Sequence, residues 1–277
     1  MLIPMRSILQ DAMARGYAVA APNVYDSDSV GACFEAAFEL RAPLIIGVGS
    51  GFDLDLIGCV ARHYASRHPE VPVALNLDHG KTFAAAVKAI RAGFTSVMVD
   101  RSQDPLEENV RETIEIVKMA RAAGVSVEGE VGHVGRGADY ETGRDAGLTS
   151  VEDAVEYWKR TQVDCLATAV GTAHGKYAGI PRIDFDRLSA IRRAVDVPLV
   201  LHVGSSTGDE NLTRAVRLGI SKVNVATDLF ASGGAKVREC LEASPDSTVR
   251  AIAAAGRSGY KSELKRYIRL LGAENRW

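Results

Sequence analysis

Eight times along the chain of 277 residues, a short apolar run is followed by turn residues and then by an amphipathic stretch. The runs occupy 17–21, 43–48, 71–77, 96–99, 125–131, 165–170, 197–201 and 221–225. They are near-continuously apolar rather than alternating, as expected of parallel strands covered on both faces. The stretches between them carry a helical period: Leu106, Val110, Ile114 and Val117 fall on one face of a helix. Eight strand–helix units are the count of a closed α/β barrel, the (β/α)8 TIM barrel, whose usual length is about 250 residues. A doubly wound open sheet is the competing architecture, but it does not need eight units, and no GxGxxG follows the first run. No linker or charge block divides the chain. It is therefore read as one barrel domain over 1–277, with a helical tail at about 247–271.

Composition narrows the function classes. With 47% apolar and 25% charged residues the chain is ordinary globular protein, not a disordered or fibrous one. Lys and Arg number 33 against 35 Asp and Glu, so no basic surplus marks a nucleic-acid or anionic-membrane partner. No apolar run reaches the roughly 18 residues that span a bilayer, and the first residues lack a signal-peptide pattern. Cys33, Cys59, Cys165 and Cys240 are scattered without CxxC spacing, as in a cytoplasmic protein with reduced thiols.

In such barrels chemistry gathers at the C-terminal ends of the strands and in the loops that follow. Here those positions hold Asn76, Asp78 and His79, then Asp100, then Glu128, Glu130 and His133. Further along come Gly171 to Tyr177 with His174 inside, His202 before Val203-Gly204-Ser205-Ser206, and Asn224 before Ala226, Thr227 and Asp228. Four of the six histidines lie there, whereas His63 and His68 fall at the end of a helix. Three imidazoles from separate strands, leaving one open position, are the donor set of a catalytic zinc site. His79, His174 and His202 are the expected ligands, with His133 a fourth candidate. The competing view is a network of buried histidines hydrogen-bonded to carboxylates. Asp78, beside a ligand, is placed for proton transfer, or else caps a helix or orients a histidine. The loops after the seventh and eighth strands are where these barrels bind phosphate. Simple helix capping by Ser205, Ser206 or Thr207 is the alternative there.

Five segments carry a resemblance through most of the chain, to about residue 235. They are Leu77-Asp78-His79-Gly80, Glu128-Gly129-Glu130-Val131-Gly132, Gly171-Thr172-Ala173-His174-Gly175, the His202 segment, and Lys222-Val223-Asn224-Val225-Ala226-Thr227. Together the sequence resembles the class II (zinc-dependent) ketose-bisphosphate aldolases, the group that contains fructose- and tagatose-bisphosphate aldolases. The resemblance implies reversible cleavage of a phosphorylated ketose to dihydroxyacetone phosphate and an aldehyde. It implies zinc on His79, His174 and His202, with Asp78 as the proton donor and acceptor. It also implies phosphate binding by Gly175, by the backbone of Val203, Gly204 and Ser205, and by Asn224, Val225, Ala226 and Thr227. Asp100 and Glu130 match carboxylates that hold a second or alternative metal position. A monovalent cation (Na+ or K+) beside the phosphate, and a homodimer or homotetramer, are further implications. The chemistry agrees with the residues: an enediolate needs an electrophile on the carbonyl oxygen, and a metal supplies it without a lysine Schiff base. Neither Lys81 nor Lys176 stands out as a buried amine.

The departures from the family pattern cluster around substrate grip. Members usually carry His-Gly-Gly-Ser-Gly or its alanine variant after the seventh strand, where this chain has Val203 and Ser206. A β-branched residue resists positive φ and crowds the backbone against a phosphate. Gly49, with Ser50 next to it, occupies the place of a substrate-binding serine, and Arg101 replaces a glycine. Arg136-Gly137-Ala138 replaces a glycine and acidic residues of the loop after the fifth strand, where Asp139 or Glu141 would substitute. The tail lacks the Asp-Pro-Arg-Lys run, with Arg250 a loose candidate for its arginine. The metal set and Asp78 are untouched, so the expectation is a zinc aldolase acting on a ketose bisphosphate or a related anionic ketose phosphate. Ser50, Arg101 and Arg136 are candidate contacts to a substrate anion. The alternative is a zinc-barrel protein that binds a phosphorylated sugar as a sensor or partner subunit. The altered phosphate loop favours it and the retained Asp78 opposes it. Metal-assisted hydrolysis lacks a recognisable base.

Overall fold

The computed structural model describes residues 2–134, 147–173 and 181–277. Eight strands form one parallel sheet: β1 (Val19–Pro22), β2 (Leu44–Gly49), β3 (Val73–Gly80), β4 (Ser96–Val99), β5 (Ser126–Val131), β6 (Cys165–Thr168), β7 (Leu199–Leu201) and β8 (Ile220–Val225). Their order is β1-β8-β7-β6-β5-β4-β3-β2, and a parallel bridge between Asn23 and Gly47 joins the two ends into a nearly closed barrel. All eight strands lie within one residue to three residues of the apolar runs in the sequence.

The helices among the described residues are α1 (Met5–Arg15), α2 (Ser27–Leu40), α3 (Leu54–Arg67), α4 (Phe83–Arg91), α5 (Leu106–Ala122), α6 (Val151–Thr161), α7 (Phe185–Ala194), α8 (Asp209–Arg217), α9 (Thr227–Ala243) and α10 (Val249–Leu270). Several begin at a side-chain cap: Asp26, Asp53, Thr82, Ser150 and Asp184 each accept a backbone N–H of the following turn. α1 meets the N-terminal ends of the strands, with Arg6 N–H donating to Ser126 Oγ and Met5, Ile8, Leu9 and Ala12 buried. That end is plugged, and the opposite end carries the polar residues.

Two differences from the sequence expectation matter for the site. β3 runs to Gly80 rather than stopping at 77, because its last residues pair with β2 and β4. Asp78 and His79 are thus strand residues, and the register of β3 on β4 shifts there, with His79 at φ 51. The tail is a pair, α9 and α10, the second close to the expected span. α10 inserts Tyr260, Leu264, Tyr267 and Ile268 into the main apolar core. No helix among the described residues is long and apolar enough to cross a membrane.

Candidate active site

At the C-terminal mouth, β3 and β7 bring His79 and His202 together, their ring centroids 4.9 Å apart and their planes at 75°. Asp78, buried beside them, forms a triplet whose potential ligand atoms lie within 4.8 Å of one another. Each Asp78 oxygen has its own amide donor: Asn23 Nδ2 gives to Oδ2 at 2.8 Å and Asn224 Nδ2 gives to Oδ1 at 3.1 Å. Burial alone would favour the neutral acid. The charges of His79, His202 and Lys222, with the Asn23 bond, outweigh it and hold this carboxyl below the usual range. Asp78 caps no helix, since Thr82 caps α4. The result is an ionised carboxylate fixed in orientation by neutral amides, at the edge of a cluster of imidazoles.

Each histidine is backed by a carboxylate. His79 Nδ1 hydrogen-bonds Asp100 Oδ2 at 2.8 Å, and Ser102 Oγ donates to the other oxygen of Asp100. Burial opposes charge on His79, but the Asp100 bond and the charges of Asp78, Glu130 and Asp100 push its pKa up to about 9. His202 Nε2 meets Glu128 Oε1 at 2.9 Å, and Lys222 Nζ donates to Glu128 Oε2 at 2.6 Å. Glu128 and Lys222 are both 0% exposed. Burial raises the Glu128 carboxyl and is overcome by Lys222 and His202, which leave it lowered.

These bonds are what a buried histidine network requires, so they do not by themselves separate that view from a metal site. Carboxylates on one ring nitrogen are also how proteins orient metal-binding histidines. Glu130 is the residue that the hydrogen-bonded network leaves unaccounted for. Its Oε2 is buried without a hydrogen-bond partner among the described residues, 4.0 Å from His79 Nδ1. Burial raises this carboxyl, with Asp100 adding to the effect. His79, Asp100 and Glu130 form a second triplet within 4.8 Å, sharing His79 with the first. An unpartnered carboxylate oxygen facing an imidazole–carboxylate cluster fits a divalent cation. The residues present suit a metal in either triplet.

The loops after β7 and β8 form the wall of a cavity of about 290 Å³, lined there by His202, Val203, Ser205, Asn224, Ala226 and Thr227. Val203 and Ser206 both have positive φ, 63° and 59°, where a side chain costs roughly 1–2 kcal/mol. The β-branched Val203 adopts the strained conformation nonetheless, because its side chain packs with Val134 and Ala169 and Thr207 Oγ1 donates to its carbonyl at 2.8 Å. Ser206 is held by Asp228, which accepts both its N–H and its hydroxyl, and Tyr267 of α10 donates to the same Asp228 at 2.6 Å. Gly204 donates its N–H to Asn224 O at 2.7 Å, and a Cβ there would collide with Val223. Ser205 Oγ accepts the N–H groups of Ala226 and Asp228 at the start of α9. It therefore caps α9 rather than the helix that follows it. An N-terminus of a 17-residue helix with a hydroxyl beside it suits an anion.

Other expected site residues fall differently. Val225 is buried in β8 with its carbonyl taken by Asn23 N–H. Arg101 pairs with Asp104 at 2.8 Å and donates to Lys81 O, and neither it nor Ser50 lines the cavity. His133 Nδ1 lies 3.2 Å from Ser102 Oγ, outside both metal triplets. His174, Gly175 and Arg136 lie outside the described residues, as do Asp139, Glu141 and Lys176.

Comparison with known proteins gives this mouth a family. Residues 3–276 match the family model for class II fructose-bisphosphate aldolase. The chain belongs to the class II fructose-bisphosphate aldolase family. Relatives include the fructose-bisphosphate aldolases of Helicobacter pylori strain 26695, 37% identical over the whole of both chains, and of Geobacillus stearothermophilus, 37% identical over 99% of this chain and 98% of that protein. Among solved structures, the YdjI aldolase from Escherichia coli K12 superposes with a TM-score of 0.88 at 30% identity, covering 99% of this chain and 98% of that one. This aldolase-family chain is accordingly a carbon–carbon lyase. Three of its mouth residues escape a sequence reading of roles. Asn23, just beyond β1, looks like a turn residue after Pro22. Glu128 and Lys222 sit inside the family motifs, but their contact spans 94 positions and has no local signal.

Proposed function

We propose that the protein is a zinc-dependent aldolase that cleaves a phosphorylated ketose to dihydroxyacetone phosphate and an aldehyde, and catalyses the reverse condensation. His79 and His202, with His174, would hold the metal, and Asp100 and Glu130 offer it a second position. Bound zinc supplies a Lewis acid to the substrate carbonyl, so no lysine amine is needed. The observation that carries the reading is the Asp78 carboxylate, clasped between Asn23 and Asn224 next to the two imidazoles. In cleavage, Asp78 takes the proton of the C4 hydroxyl as the C3–C4 bond breaks. C4 becomes the aldehyde carbon, and the electron pair remains with the ketone half as an enediolate. The charges of His79, His202 and Lys222 keep Asp78 ionised and the amide bonds aim it, so the proton has a single acceptor. The start of α9 and Ser205 hold the phosphate of the ketone half, with a monovalent cation beside it.

The test pairs zinc content with cleavage rate for wild type and Asp78→Asn, across fructose 1,6-bisphosphate, tagatose 1,6-bisphosphate and ketose 1-phosphates. We expect the variant to retain zinc and lose about 10²- to 10⁴-fold in kcat. Equal, negligible rates in both proteins on every ketose phosphate would favour the sensor or partner-subunit alternative.

A further inference from the structure

The wall of the cavity beside Asp78 is aromatic. In the β2–β3 ladder Gly49 is the partner of Asp78, and Phe52 N–H turns back to donate to Gly49 O at 3.1 Å. This folds the Phe52 ring over Gly49, 3.7 Å from where a side chain there would begin. Phe52 thus stands next to Asp78 and lines the same cavity, yet it is 44% exposed, an unusual state for a phenylalanine packed on its own backbone. Val24 and Phe230 line the same cavity, Phe230 braced edge-on by Tyr25 with centroids 5.4 Å apart. Among the described residues lining the cavity, the charged groups are Asp78, His79 and His202, and none is Lys or Arg. Arg101, the described cation with the best sequence claim to an anion, is paired with Asp104.

The cleavage chemistry fixes which half of the substrate meets this wall. Asp78 takes the C4 proton, so C4 and everything beyond it, the half that leaves as the aldehyde, lies on the Asp78 side. The phosphate of the ketone half goes to Ser205 and the start of α9, as proposed above. A second phosphate on the aldehyde half would lose water against Phe52 with no Lys or Arg among the described lining residues to replace it. An uncharged chain would instead bury its C–H faces on the ring.

We propose that Phe52 selects an uncharged aldehyde half, so that the substrate is a ketose 1-phosphate carrying a single phosphate. This rests on the aldolase function proposed above. Atoms balance: the C3–C4 bond breaks with its electron pair left on the ketone half, and the C4 hydroxyl proton goes to Asp78 as the neutral aldehyde forms. The enediolate takes one proton at C3 to give dihydroxyacetone phosphate while Asp78 releases its own to solvent.

The test runs in the condensation direction with zinc-loaded protein and dihydroxyacetone phosphate, comparing lactaldehyde with glyceraldehyde 3-phosphate as acceptors. The readout is the ratio of their kcat/KM values, which does not depend on how much of a variant is folded. We expect wild type to favour lactaldehyde by at least about tenfold, Phe52→Leu to keep that preference, and Phe52→Arg to move the ratio toward glyceraldehyde 3-phosphate by at least about tenfold. A wild-type ratio of one or below, or a ratio that Phe52→Arg leaves in place, overturns the proposal. Exchange of the C3 proton of dihydroxyacetone phosphate with solvent needs no acceptor and separates the two failures. Exchange without the lactaldehyde preference sinks only the Phe52 assignment, whereas no exchange in wild type sinks the aldolase reading beneath it.

Discussion

Lys222 and Glu128 are opposite charges without solvent contact, joined by a 2.6 Å bond, and their worth lies in what they orient rather than in stability. Removing one partner leaves a buried charge uncompensated. Lys222→Met is therefore expected to cost about 3–5 kcal/mol in urea unfolding, and the double change Lys222→Met with Glu128→Gln to recover most of it. Glu128→Gln alone loosens the hold on His202 and should weaken zinc binding by about 10- to 100-fold in chelator competition. His79 gives a pH signature to the metal-free protein. Its pKa rises from 6.5 to about 9 in the fold, so the stability its charged form contributes is complete below pH 6.5 and is lost as pH climbs through 9. The urea midpoint of the metal-free protein should fall over that range, and His79→Asn should flatten the fall. A midpoint that rises with pH in wild type would contradict the ion pairing of His79 with Asp100. At this scale the sequence offered the three candidate histidines through their places at strand ends and, with Asp78, through the family motifs. It could not assign Asn23, Glu128 or Lys222, because their roles arise from pairings between strands distant in the chain.

At the scale of elements, α10 acts on the loop after β7, the proposed phosphate loop, through one side chain. Tyr267 donates to Asp228, Asp228 accepts twice from Ser206, and Ser206 is one of two non-glycine residues in that loop with positive φ. Tyr267→Phe keeps the ring in the core and removes only the donor. It is expected to raise KM for the phosphorylated ketose several-fold, about 1 kcal/mol, with little change in kcat. A drop in kcat at unchanged KM would place Tyr267 elsewhere in the mechanism. The eight strands were legible because buried parallel strands must be continuously apolar, and the helices because their apolar residues keep the 3.6 period. The end of β3 was not. Asp78 and His79 are polar yet lie in a strand, since at the barrel mouth inward side chains face the site rather than the core. The capping of α9 by Ser205 was equally hidden, because local spacing points Ser205 at the next helix in sequence while the fold turns it to another.

For the whole molecule, the tail belongs to the barrel rather than hanging from it. α10 lies against α9 and α2, and it buries Tyr260 and Tyr267 with Leu264 and Ile268. Each such side chain is worth about 1.5–3 kcal/mol when buried, and a domain's net stability is only about 5–15 kcal/mol. Truncation before Val249 should therefore abolish cooperative thermal unfolding, whereas removal of an exposed appendage would leave it. The barrel places two triplets of potential metal ligands, an oriented carboxylate and the N-terminus of α9 around one mouth, and the central claim is that a metal there activates the ketone. The most direct measurement is C3 proton exchange of dihydroxyacetone phosphate before chelation, after chelation, and after zinc is returned. The account predicts that exchange stops in the chelated protein and returns with about one equivalent of zinc per chain. Exchange that persists without metal, and that borohydride arrests by trapping a lysine adduct, would contradict it.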